Sequence, residues 1–184
     1  VGGAGLSVMP RGDPRLGGTA PALGEAATGN LLVGGRDVTV KQGGQVQAAG
    51  TLTAQAQRDL VAAGALASVQ DLMLAAPRDA RVDGTAASDA NLALAGRHGR
   101  GAGRAASAPN LTLAGRNVAV GPAGLAQAAG TLSATAQGTL LAAGSMLAGI
   151  TQTLSAGDGM TVDGTVAALQ GDLTLDTLRG NLVL

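Results

Sequence analysis

The sequence predicts an all-β chain folded as a parallel β-helix, a solenoid with coils of about 20 residues, and three observations predict it. A leucine recurs at Leu31, Leu52, Leu72, Leu92, Leu111, Leu132 and, after one blurred turn near Leu154, at Leu173. The residue before each of these is Asn30, Thr51, Asp71, Asn91, Asn110, Thr131 or Asp172, always a short side chain that hydrogen-bonds neighbouring backbone. The pattern also repeats at a shift of 80 residues. Asn30-Leu31-Leu32-Val33-Gly34-Gly35-Arg36-Asp37-Val38-Thr39-Val40 matches Asn110-Leu111-Thr112-Leu113-Ala114-Gly115-Arg116-Asn117-Val118-Ala119-Val120. The block Gln47 to Leu52 matches Gln127 to Leu132, and Val82-Asp83-Gly84-Thr85 matches Val162-Asp163-Gly164-Thr165.

Within a repeat the apolar period is two. Leu52, Ala54 and Ala56 alternate with Thr53, Gln55 and Gln57, while Val38 and Val40 flank Thr39, so the elements are strands with one buried face. Gly50, Gly64, Gly84, Gly115, Gly130, Gly144 and Gly164 close these runs, where turns are expected to need unusual backbone angles. An Ala-rich helix over Leu52 to Ala76 is the competing element, but each interior glycine would cost it about 1 kcal/mol. Three short strands per coil, stacked at roughly 4.8 Å, give about nine turns and a rod on the order of 40 Å long. Handedness does not follow from the pattern.

Composition narrows the class further. In 184 residues there is no Phe, Tyr, Trp or Cys, so the core must be a narrow one of Ala, Leu and Val. Twelve basic and 12 acidic residues cancel, and no net field draws the chain to nucleic acid or membrane. No stretch approaches the roughly 20 apolar residues of a membrane span. The opening Val1-Gly2-Gly3-Ala4-Gly5 has neither a basic region nor an apolar one, so the chain is expected to be an internal segment of a longer polypeptide. Residues 1–27 form an irregular flank in this reading, and 28–184 carry the β-helix repeats. An Arg- and Gly-rich loop at 96–109, where no Leu or Val stands between Leu94 and Leu111, is expected to interrupt them.

The phrases Gly-Asn-Leu, Val-Ala-Val-Gly, Gln-Ala-Ala-Gly-Thr-Leu and Val-Asp-Gly-Thr, spaced about 20 residues apart from Thr28 to Leu184, resemble the haemagglutinin repeats of two-partner-secreted adhesins, with pertussis-type filamentous haemagglutinins the nearest likeness. The resemblance implies a right-handed helix, secretion to the bacterial surface through an outer-membrane pore, and adhesion to host cells by way of integrins, cell-surface glycans or sulfated polysaccharide. A chain without cysteine suits such export, since no disulfide traps it before the pore.

Two segments carry candidate chemistry. Arg11-Gly12-Asp13, held between Pro10 and Pro14, is an exposed loop in this reading, and the resemblance makes it an integrin-binding tripeptide. Arg97, His98, Arg100 and Arg104 bring three guanidiniums and the chain's only histidine into one glycine-rich stretch. The arginine fork matches sulfate or carboxylate, so an anionic glycan is the expected ligand. Without aromatic rings any such site must be polar rather than stacked.

Catalysis is not expected. One histidine and no cysteine leave no nucleophile with a positioned base. A β-helical polysaccharide lyase would need clustered acids, whereas Asp83 and Asp163 sit in matching Asp-Gly turns and the remaining acids are scattered. No cofactor or metal is expected, and the Gly-Gly-x-Gly-x-Asp calcium repeat does not occur. Thr51 with Thr53 and Thr151 with Thr153 do not recur in consecutive turns, which sets ice binding aside. An adhesive module and a passive spacer in a shaft remain.

Overall fold

A computed structural model describes residues 29–184 together with the backbone of two earlier strands, Leu6–Val8 and Arg15–Leu16. Every regular element among the described residues is a β-strand, and every strand pairs in parallel with its counterpart about 20 residues on. The coils stack about eight turns high into a β-solenoid. Three ladders of strands run along it.

The first ladder contains β1 (Leu6–Val8), β3 (Leu31–Gly35), β6 (Leu52–Ala56), β9 (Leu72–Val82), β11 (Leu92–Gly101), β13 (Asn110–Val120), β15 (Thr131–Ala136), β18 (Gln152–Ala156) and β21 (Leu173–Thr177). The second contains β2 (Arg15–Leu16), β4 (Val38–Val40), β7 (Leu60–Ala62), the distal halves of β9, β11 and β13, then β16 (Thr139–Ala142), β19 (Gly159–Val162) and β22 (Leu182–Val183). The third contains β5 (Gln45–Ala48), β8 (Ala65–Ser68), β10 (Thr85–Ser88), β12 (Arg104–Ser107), β14 (Leu125–Ala128), β17 (Ser145–Ala148) and β20 (Thr165–Ala168).

The leucine column of the sequence is a column in space. Leu31, Leu52, Leu72, Leu92, Leu111 and Leu132 stand in register, each at most 3% exposed. Burying one such side chain contributes roughly 1.5–3 kcal/mol. The blurred turn is resolved by the register: opposite Leu132 and Leu173 stands Gln152, while Leu154 belongs to the next inward column with Leu113 and Ala134. Gln152 is 0% exposed, and neither its Oε1 nor its Nε2 has a hydrogen-bond partner among the described residues.

The short polar residues before the leucines bond up the stack. Asn30 Oδ1 accepts from the Thr51 amide at 2.9 Å, Asp71 Oδ1 accepts from the Asn91 amide at 3.1 Å, and Asn110 Nδ2 donates to Asn91 Oδ1 at 2.9 Å. These bonds hold successive turns in one rotational register.

The glycines owe their places to a different cause from the one expected. Among the described residues only Gly43, at φ 77°, has a positive φ. Gly64, Gly84, Gly103, Gly124, Gly144 and Gly164 recur at the corner leading into the third ladder, where each turn lies tight upon the one before. A Cβ at Gly84 would press into the Gly64 carbonyl oxygen, and one at Gly103 into that of Gly84. Lack of space, rather than an unusual backbone angle, selects glycine there.

The stretch 96–109 is not a loop. β11 continues to Gly101, β12 forms over Arg104–Ser107, and both pair above and below. The ladder bonds are made by backbone, and the inward positions are filled by small residues: Gly99 opposite Ala80 and Val118, Ala105 opposite Ala86 and Ala126. The N-terminal flank likewise contributes β1 and β2 to the first two ladders, so the stack starts before residue 28.

Candidate polyanion-binding corner

Between the first and second ladders the chain turns outward, and the same corner carries an arginine in five successive turns: Arg36, Arg58, Arg78, Arg97 and Arg116. Backbone bonds fix the column, with the Arg58 amide donating to the Arg36 carbonyl at 2.8 Å and the Arg78 amide to the Arg58 carbonyl at 3.1 Å. Arg97 faces Arg116 between the paired positions Gly96↔Gly115 and His98↔Asn117. Above Arg116 the column passes to Gly138 and Asp158. Because coils stack at about 4.8 Å, the backbone positions of these arginines recur along the corner at about that spacing.

The residue after each arginine forms a second column: Asp37, Asp59, Asp79, His98 and Asn117. In the lower turns two ion pairs join the columns. Arg58 Nε donates to Asp37 Oδ1 at 3.0 Å, and its terminal nitrogen bonds the other oxygen. That hydrogen bond, with further help from the Asp59 amide and the nearby guanidiniums, holds the Asp37 carboxyl below its ordinary value of 3.8 against the opposing effect of burial. Arg78 Nε lies 3.7 Å from Asp59 Oδ1. In the upper turns Arg97 and Arg116, both exposed, have no ion pair or side-chain hydrogen bond among the described residues.

These two arginines line a groove of about 760 Å³ on the first-ladder side of the corner. Its floor is the small column Ala56, Ala76, Gly96 and Gly115, and Gln55 and Gln137 stand at its ends. On the second-ladder side lies a smaller hollow of about 340 Å³, lined by Asp79, Arg81, His98, Gly99, Arg100, Asn117 and Ala119. There Arg100 lies in register with Arg81, which is bound to Asp83 through Nε at 2.6 Å, and His98 Nδ1 meets Asn117 Nδ2 at 3.2 Å.

The four residues expected to form one site are therefore divided. His98 and Arg100 share the hollow, Arg97 faces the groove across the corner, and Arg104 stands on β12 in the third ladder. Arg36, Arg58, Arg78 and Arg116 stand outside the expected site, although with Arg97 their spacings of 22, 20, 19 and 19 residues follow the coil period. Arg11, Gly12 and Asp13 lie outside the described residues. Among the described residues no three of His, Cys, Asp and Glu gather closely enough to hold a metal ion.

Together these features define a class, a parallel β-solenoid of repeated coils with a basic corner. No protein-family model, curated protein or solved structure matches the chain.

Proposed function

We propose that this chain is a shaft segment of a secreted bacterial surface adhesin of the filamentous-haemagglutinin type, and that its arginine corner binds anionic polysaccharide on host cells. The observation that carries this reading is the arginine column itself, ending in two unpaired guanidiniums over a groove parallel to the rod. A linear polysaccharide lying along that groove meets guanidiniums in two successive turns, at Arg97 and Arg116, and a sulfate or carboxylate accepts two hydrogen bonds from each fork. The Ala and Gly floor lets the chain approach without steric conflict. Absence of aromatic rings favours a sulfated or uronic-acid polymer over single-stranded nucleic acid, which takes much of its affinity from stacking.

The test is retention on immobilised heparin. Wild type is expected to bind at about 0.1 M salt and to elute as the Debye length shortens from about 10 Å towards 3 Å at 1 M. Arg97→Ser with Arg116→Ser is expected to abolish retention and leave thermal stability nearly unchanged, because both side chains are exposed. Equal retention by the double variant would place binding outside this corner, and no retention of wild type would leave the rod a passive spacer.

A further inference from the structure

Two corner arginines below the groove, Arg58 and Arg78, each meet a carboxylate from the previous turn. Arg58 reaches back to Asp37 and Arg78 to Asp59, so a guanidinium in one turn meets the residue that follows the arginine of the turn before. Continued up the stack, the rule pairs Arg97 with Asp79 and Arg116 with residue 98. Neither pair forms, and for different reasons.

At Arg97 the reason is geometric. The register between β9 and β11 shifts at this corner: Gly96 stands opposite Ala76, but His98 stands opposite Asp79, so two steps in β11 span three in β9. With one residue fewer, the corner places Arg97 on the groove side beside Pro77, while Asp79 lines the hollow on the other side. At Arg116 the register is regular, and the reason is chemical. Residue 98 is His where the lower turns have Asp, and its Nδ1 is engaged by Asn117. Among the described residues no carboxylate pairs with Arg116, and the next turn of the corner column carries Gly138.

Resting on the polysaccharide reading above, we propose that the residue following each corner arginine is the specificity-determining position of the corner. Where the register between turns is regular, an Asp there pairs with the arginine of the next turn, a clamp that draws it from the polyanion site, and His98 keeps Arg116 available. The Arg58 fork, bonded to Asp37 through two nitrogens, has spent donors that would take a sulfate, and Arg78 is drawn towards Asp59 by an ion pair at 3.7 Å. Arg58 and Arg78 are thereby drawn off, and the groove is left with the Arg97 and Arg116 turns.

The experiment measures affinity of the whole chain for a size-fractionated heparin oligosaccharide at fixed salt. His98→Asp is expected to weaken binding about tenfold, the effect of one charge-assisted contact. His98→Asn, which adds no charge, is expected to stay within about twofold. Asp59→Asn, which keeps an oxygen to accept the Asp79 amide, is expected to strengthen binding several-fold by releasing Arg78. In an Arg116→Ser background His98→Asp is expected to have no further effect, since it acts through Arg116.

An equal loss in that background, or no loss while wild type binds, overturns the proposal and leaves the polysaccharide reading standing. The clamp is also read without ligand, from the Arg116 Nε–H resonance. That resonance is expected to shift in His98→Asp and to stay put in His98→Asn. If wild type ignores heparin, the polysaccharide reading falls, while this resonance still decides for or against the clamp.

Discussion

Replacing Gln152 by Leu should make the rod more stable, although the wild-type residue is fully buried and well surrounded. Its side chain is 0% exposed and stands in the leucine column between Leu132 and Leu173, with both amide atoms unpartnered. A buried amide left without hydrogen bonds costs about 1–3 kcal/mol relative to one in water. Leucine has similar volume and no polar atom, and the branched shape gives back up to about 1.5 kcal/mol in repacking. The expected net gain is roughly 1–2 kcal/mol. In a stacked rod each coil contacts only its neighbours, so the gain is local. Amide exchange monitored across β15, β18 and β21 should slow by about a factor of five to thirty, with β3 and β6 unchanged. The reverse change one turn earlier, Leu132→Gln, should cost stability in the same coils. Unchanged or faster exchange in Gln152→Leu would show that the amide is satisfied in solution, and would refute the reasoning.

Three further outcomes follow from the same structure. Leu111→Asp places a carboxylate at a 0% exposed position between Leu92 and Leu132, and should cost several kcal/mol in denaturant unfolding. Gly84→Ala drives a Cβ into the Gly64 carbonyl oxygen and should cost about 1–3 kcal/mol, measured the same way, whereas Gly101→Ala, where a Cβ meets nothing within 4 Å, should be nearly neutral. Acid should open the Arg58–Asp37 pair. Because the folded carboxyl is held below 3.8, its contribution is complete above that value and is lost as pH falls below it towards the folded pKa. Titrating the Asp37 carboxyl by NMR should place its midpoint below that of Asp37 in the Arg58→Ala variant.

The fold was legible because its two determinants repeat. The leucine column and the polar residue before it recur in nearly every turn, and backbone bonding between coils demands that recurrence. Gln152 broke the column at a place where spacing alone pointed to Leu154, and only register separates the two inward positions. The stretch 96–109 hides its strands because it holds no Leu or Val. A coil whose neighbours supply Val118 and Ala126 tolerates Gly99 and Ala105 inside. The candidate site was legible in part. His98 and Arg100 line one hollow, Arg97 turns to the other side of the corner, and Arg104 stands a ladder away on β12. The arginine column escaped notice because its spacing drifts from 22 to 19 residues, and contact between turns depends on where corners gain or lose a residue.

The most direct test of the polyanion-binding corner is to map where a heparin oligosaccharide perturbs backbone amides of the intact chain. The account predicts shifts at Gly96, Arg97 and His98 and at Gly115, Arg116 and Asn117, fading towards Arg58, with the third-ladder strands β10, β12 and β14 unaffected. Perturbations centred on Arg104 and β12, or none at the corner while binding persists, would contradict it.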